Sequence, residues 1–348
     1  MRKYRTPIIA AIALVALIGA TAATLRSEKQ ALVVSTFGLA TKEMDRDVFQ
    51  EFTAKTGIAT RSQYGDSSTR YTQIAHNTHS GIDVVELAQS NTLSGVDAGL
   101  FAKIDFSRLK NFKYLSSAQQ HLAHQTNSVP FTVNSIGIIY NPKTAGKVTD
   151  WSDLWSSQFK HKIAIPDITT TFGPAMLYLA GDHAGTSVTR DNSVAAFKAM
   201  AELKPNVVKT YAQSSDLANM FKTGEINAAV VGDFSVGMIK VSNPDVQYVV
   251  PASGTYANYN LLSIVKGQSS QAAYAYIDDR ISAATQKRVA APTSQNYAPV
   301  NTKVELDKTA ATNKTYGAIA RRARTIDFGY VNHHLDAWIT RWNKLMNQ

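Results

Sequence analysis

The chain of 348 residues has no cysteine. Disulfides, thiol catalysis, cysteine-held metal and a lipid-modified N-terminal cysteine are therefore excluded. The short motifs that announce common chemistries are missing too: no G-x-S-x-G, no H-E-x-x-H and no phosphate-binding P-loop occurs. Beyond the first two dozen residues no apolar run approaches the ~20 residues that a membrane-crossing helix needs. Acidic residues are under-represented, 26 against 36 basic ones, for a net charge of +10. Apart from Arg321, Arg322 and Arg324 the basic residues are scattered, with no basic stripe interleaved with aromatics. Nucleic-acid binding is not expected from that pattern.

What is present is the profile of a globular protein, 44% hydrophobic and 18% charged, long enough for two domains. The start is different. Arg2, Lys3 and Arg5 precede an apolar stretch over 7–20, and small residues follow at 20–23. These are the three parts of a secretory signal peptide, assigned here to residues 1–23, with an uncleaved anchor as the alternative. Losing it leaves a mature chain of about +7. Export without cysteine fits a soluble periplasmic protein.

Residues 31–37, 58–64 and 82–87 read as strands, separated by helical spacing over 42–56 and from 66 to about 76. The alternation resumes after residue 142. Strands are expected at 162–165, 226–231, 246–250 and 261–265, helices around 151–159, 169–180, 194–203, 215–222 and 271–284, and a mostly helical tail. Strand–helix alternation of this kind implies parallel sheets with helices on their faces. Between the two units lies 128–142, SVPFTVNSIGIIYNP, an apolar run bounded by Val-Pro and Asn-Pro. It reads as a strand that carries the chain from one lobe into the other, leaving a cleft where the carboxyl ends of the strands face each other.

Hydroxyl-rich loops recur where strands give way to helices: Ser35–Gly38, Asp66–Thr69 with Ser67 and Ser68, Asp167–Thr171 and Gly232–Ser235. Each can cap a helix, and each can offer hydroxyls and free N–H groups to a ligand. Gly65-Asp66-Ser67 also resembles an esterase nucleophile block, so a secreted serine hydrolase using Ser67 is the alternative of another class. It lacks the downstream Asp-x-x-His pair that such a serine requires.

The blocks VVSTFG (33–38), DVVEL (83–87), 128–142, TDWSDLWSSQFKHKIAIPD (149–167), TGEINAAVVGD (223–233) and QNYAPVN (295–301) occur in an order that resembles the solute-binding proteins of ABC importers. The similarity is to the spermidine/putrescine branch and, more distantly, to iron- and thiamine-binding proteins. The resemblance implies a type II two-lobed α/β fold: 31–131 with 258–300 as lobe 1, and 132–257 with 301–348 as lobe 2. The two lobes would be joined by crossovers near 129–134 and 250–257. It implies a monomer that is not an enzyme, needs no cofactor, captures a small solute by hinge closure and delivers it to a membrane permease. Carried over residue by residue, Thr36 and Phe37 match a first binding loop and Ala88 and Gln89 a second. Asp167 falls on an amine-binding carboxylate and Tyr297 on a pocket tyrosine. Asp233 keeps an amine possible. Thr170, beside Thr171, stands where polyamine binders have glutamate, and Asn258 and Asn260 where they have tryptophan and aspartate. A polyamine is the first expectation, and a small anionic or zwitterionic solute such as a phosphonate or carboxylate, or iron or thiamine, the alternative.

Overall fold

The computed structural model describes residues 31–77, 80–268 and 270–347. The expected signal peptide lies outside them. Strand β1 (Leu32–Phe37) leads into a continuous helix over 41–56, α1, whose middle, Asp45–Gln50, is wound as a π-helix. Gly57 ends that helix in the left-handed region at φ 68°, its N–H reaching the Thr53 carbonyl at 2.8 Å, the usual use of glycine at a helix C-terminus. Strand β2 (Thr60–Gly65), helix α2 (Ser67–His76), strand β3 (Val84–Ala88) and helix α3 (Gln89–Asp97) follow. The three strands are parallel, with β1 in the middle.

Strand β4 (Val129–Tyr140) is buried along all 12 residues, which explains why it reads as an uninterrupted apolar run. At ~3.3 Å per residue it reaches roughly 40 Å. The second unit adds β5 (Ile163–Pro166), helix α4 (Gly173–His183), β6 (Val207–Tyr211), helix α5 (Ser215–Lys222) and β7 (Ala228–Gly232). Here β5 lies parallel to both β6 and β7. The chain ends with β8 (Gln247–Val249), β9 (Thr255–Ile264), helix α6 (Gln271–Arg280), β10 (Ala323–Thr325) and helix α7 (Phe328–Met346).

The strand order is β2-β1-β3-β9-β4-β7-β5-β6, with β10 on β9 and β8 on β4. The two long strands make this one path. The first half of β4 pairs antiparallel with β9, from Val129↔Leu262 to Ser135↔Ala257, and its second half pairs with β7, from Ile136↔Gly232 to Tyr140↔Ala228. The packing changes hands at the same place. Val129 and Phe131 belong to a core with Leu32, Phe52, Leu262, Ile277 and Tyr297. Ile136 and Ile138 belong to another, with Trp151, Ile165, Met176, Val230, Trp338 and Trp342. The result is a two-lobed α/β fold whose lobes are linked by β4 and β9.

Three local expectations change. Residues 151–159 form two 3₁₀ turns, Trp151–Trp155 and Ser157–Phe159, the first closed by a reciprocal Asp150–Asp153 capping box. Strand β9 begins at Thr255 rather than 261, because polar residues such as Asn258 and Asn260 are buried on it. The tail, expected to be helical, contributes β10, whose Ala323–Thr325 pairs with Thr255–Ala257 of β9. The apolar stripe of α7 packs on the second core through Phe328, Val331, Trp338 and Trp342.

Candidate functional site

A cleft of about 590 Å³ opens between the lobes at the carboxyl ends of the strands. Phe37 and Gly65 finish β1 and β2 on one side, and Pro166, Tyr211 and Gly232 finish β5, β6 and β7 on the other. That is where ligands bind in α/β sheets generally.

The lobe 1 wall is Phe37, Gly38, Leu39 and the start of α2, with Tyr297 beside them. Asp66 is the N-cap of α2. Its Oδ1 accepts from the Thr69 N–H at 2.8 Å and its Oδ2 from the Thr69 hydroxyl at 2.8 Å. Burial alone would raise its pKa, but these two donors and the Arg70 charge bring it below the ordinary aspartate value. The Ser67 Oγ accepts from the Ala88 N–H at 2.9 Å, tying α2 to the end of β3. Behind this wall the Arg70 guanidinium lies over the Phe37 ring, 3.9 Å from its centroid, and donates to the Gly65 carbonyl at 2.5 Å. Arg70 is 1% exposed, and its Nε and Nη2 have no acceptor among the described residues. Burial holds its pKa down at about 10, against the opposing pull of Glu86, Tyr297 and Asp66.

The lobe 2 wall is Thr169–Phe172, 211–215, Gly232, Phe234, Ser235 and Met238. Phe172 and Phe234 stack with centroids 6.2 Å apart at 22°. Gly232 makes room for that pair, since a Cβ there would sit 2.6 Å from the Phe234 ring and 2.8 Å from that of Phe172. The Ser235 hydroxyl is buried without a partner among the described residues.

The floor is a chain of amides across the two linking strands. The Gln89 N–H donates to Asn258 Oδ1 at 3.2 Å, Asn258 Nδ2 to Asn260 Oδ1 at 3.1 Å, Asn260 Nδ2 to Asn134 Oδ1 at 3.4 Å, and Asn134 Nδ2 to Asp233 Oδ1 at 3.1 Å. Asp233 Oδ2 then accepts from the N–H and hydroxyl of Thr315, at 2.8 and 2.6 Å. Buried polar groups are affordable only when paired in this way.

Of the residues singled out in the sequence, Phe37, Ser67, Ser68, Thr170, Thr171, Asn258, Asn260 and Tyr297 line the cleft. Thr36, Gln89, Asp167 and Asp233 stand outside its lining. Thr36 is fully buried and donates to Glu86 Oε2 at 2.5 Å. Glu86 Oε1 also accepts from Tyr276 and from Arg280 Nε, each at 3.0 Å. Gln89 supports the floor through its backbone. Asp167 Oδ1 accepts from the N–H and hydroxyl of Thr169, at 3.0 and 2.6 Å, and so organises its own turn. Gly173 closes that turn, for a Cβ there would run into the backbone of Asp167 and Ile168.

Sequence reasoning did not single out Arg70, Asn134, Phe172 or 213–215 for the site, and it reached Phe234 only as part of the loop Gly232–Ser235. Arg70 had one visible signal: it shares a helix face with Ser67 and Ile74, the residues that α2 buries. Among the described residues no group of three or more His, Asp or Glu is placed to hold a metal ion, and no helix is long and apolar enough to cross a membrane.

Known proteins agree with this architecture. A curated spermidine/putrescine-binding periplasmic protein of Salmonella typhimurium is 26% identical over 216 residues. That match covers 60% of this chain and 60% of the relative, so it spans less than two thirds of the relative's length. A crystal structure described as an ABC transporter from Clostridium perfringens is 42% identical, with a TM-score of 0.81 over 91% of this chain and all of that one. A spermidine/putrescine ABC transporter substrate-binding protein from Streptococcus pneumoniae shares the fold at 18% identity, with a TM-score of 0.73, covering 91% of this chain and 99% of that one. The family model for bacterial extracellular solute-binding proteins matches residues 47–318, most of the chain, and the protein belongs to that family.

Proposed function

We propose that the protein is the extracytoplasmic solute-binding component of an ABC importer. It captures one small polar solute in the cleft and presents it to a membrane permease. The observation that carries this reading is the cleft itself: five strand ends from two lobes converge on one space of about 590 Å³, the size of a small-molecule site. Residues 31–131 and 258–300 serve as lobe 1, and 132–257 and 301–348 as lobe 2. The strands β4 and β9 act as hinges near 129–134 and 250–257. A solute that touches both walls favours the closed form by its difference in affinity for the two forms, and by no more.

Export by a signal peptide at 1–23, a periplasmic location and a monomeric state belong to the same proposal. So does the ligand role of the cleft-lining residues, among them Phe37, Ser68, Thr170, Asn258, Asn260 and Tyr297. The relatives' names make polyamines the first solutes to try. The reading requires no chemistry, and Ser67 Oγ faces the Ala88 N–H rather than a histidine.

The test is a thermal-shift screen of the purified chain against polyamines, amino acids, organic acids, phosphonates, thiamine and iron. A solute present at about 100 times its Kd adds roughly 2.7 kcal/mol to stability. Cells lacking the gene should lose uptake of the solute that stabilises the protein. If no solute of any class raises the melting temperature, the proposal fails.

A further inference from the structure

Four carboxylates at or behind the cleft already hold donors of the protein itself, while Asp216, next to the lining residue Ser215, is exposed and turned outside the lining. Among the described residues Asp66 is the only acidic one of the lining, and it holds both the N–H and the hydroxyl of Thr69. Asp167 holds the N–H and hydroxyl of Thr169. Asp233 is buried behind the floor on Asn134 and Thr315. Glu86, at 0% exposure, holds Thr36, Tyr276 and Arg280. A solute with two ammonium ends would find no carboxylate of the lining free of such duties.

The aromatic wall points the same way. The attraction of a ring face for a cation is electrostatic, and the hidden face of Phe37 already carries the Arg70 guanidinium 3.9 Å from its centroid. An ammonium stacked on the open face would lie roughly 8 Å from the Arg70 charge. At an effective dielectric near 20, the Arg70 charge by itself would weaken binding on the order of thirtyfold, with Asp66 on the same wall offsetting part of that. An anionic group meets Arg70 as attraction, offset in part by the Asp66 carboxylate on the same wall.

Donors, by contrast, are in supply. Helix α2 begins at the cleft with Ser67 and Ser68, whose N–H groups have no acceptor among the described residues, the Asp66 side chain being engaged with Thr69. Helix α5 begins on the opposite wall at Ser215 with no side-chain cap, but Asp216 and Leu217 already donate their N–H groups to the Gln213 and Ser214 carbonyls and Asp216 brings a negative charge, so that end offers little beyond Ser215. The α2 end therefore carries the positive helix pole that an anion would meet. Among the described residues Ser235, 1% exposed and part of the lining, has an unpartnered hydroxyl, and the buried Arg70 has unpartnered Nε and Nη2 directly behind the wall.

We infer that the captured solute carries an oxyanion, a carboxylate or a phosphonate or phosphate group, held at the N-terminus of α2 on the Arg70 side of the cleft and facing Ser235 across it. The remainder of the solute lies against Phe37 and the Phe172–Phe234 pair, and polyamines are poor ligands. The inference rests on the solute-capture reading and names the class of solute for that same cleft.

Isothermal titration of the full chain with putrescine, spermidine, glutamate, succinate, inorganic phosphate and methylphosphonate tests it. At least one acid should bind saturably, and at least tenfold more tightly than either polyamine. The carboxylates and the phosphorus oxyanions form separate arms that identify the source of the anionic group. Ser68→Asp adds a negative charge at the start of α2, where it suits the helix, so the free protein should melt no lower while the acid binds at least tenfold more weakly. Arg70→Gln should weaken the acid as well. If that variant does not fold, Ser68→Asp decides the matter. Tighter binding of spermidine or putrescine than of any acid overturns this inference and leaves solute capture standing. Unchanged acid affinity in Ser68→Asp overturns the placement of the anion. Binding of neither class by the folded protein overturns this inference, and solute capture then stands or falls on the wider thermal-shift screen.

Discussion

Asp233 is buried where β4 passes from one lobe to the other, and its pH behaviour can be worked out from its surroundings. Burial is the largest influence on it and pushes its pKa up from 3.8 to about 6, with the Thr315 hydroxyl, the Asn134 amide and backbone N–H groups opposing. Below about pH 4 the carboxyl is protonated in both the folded and the unfolded chain, and its contribution to stability is fully present. Between about pH 4 and 6 the unfolded chain releases the proton while the folded chain keeps it, so stability falls by ~1.4 kcal/mol per pH unit. The loss totals about 3 kcal/mol by pH 7 and then levels off. Asp233→Asn cannot ionise and lacks this slope. Urea unfolding of both proteins at pH 4, 5, 6 and 7 measures the difference, in which the contributions of distant groups cancel. The variant should gain about 3 kcal/mol relative to the parent between pH 4 and pH 7, whatever its starting value. Parallel curves for the two proteins would refute the burial argument.

Two further variants probe the packing behind the cleft. Glu86→Ala leaves the 0%-exposed Arg280 without its counter-charge and should cost roughly 3–5 kcal/mol, whereas Glu86→Leu with Arg280→Met should cost less. A double variant as unstable as the single one would contradict that account, and urea midpoints decide it. Gly137→Ala on β4 drives a methyl into the Tyr248 ring and should lose roughly 1–3 kcal/mol by the same measurement. Tyr248→Leu in that background should recover part of the loss, and no recovery would mean that the clash lies elsewhere.

The architecture was legible because its signals are local. The apolar run of β4 is continuous since all of it is buried, and Gly57 marks the end of α1 as glycine does wherever the chain must turn left-handed. Short edge elements were not legible. Strand β6, VVKTY, lies at the end of the sheet with three of its five residues partly or fully exposed, so its apolar pattern is weak. Strand β10 exists only because ART meets β9, and nothing in those three residues announces the partner. The cleft divides in the same way. Ser67, Ser68, Thr170 and Thr171 sit at strand-to-helix junctions that the pattern marks, and the structure brings them to the cleft. Asp233 reads as one more loop residue in Gly-Asp-Phe-Ser. Its burial depends on Thr315, 82 positions later, and on Asn134, 99 positions earlier. Arg70 reads as an exposed helix arginine until Phe37 covers it.

The central claim is that the two lobes close on a solute about β4 and β9. Small-angle X-ray scattering of the chain, alone and saturated with the solute that stabilises it most, tests this directly. The account predicts a smaller radius of gyration in the saturated protein, with the free protein more open in solution. An unchanged radius at proven saturation would contradict it.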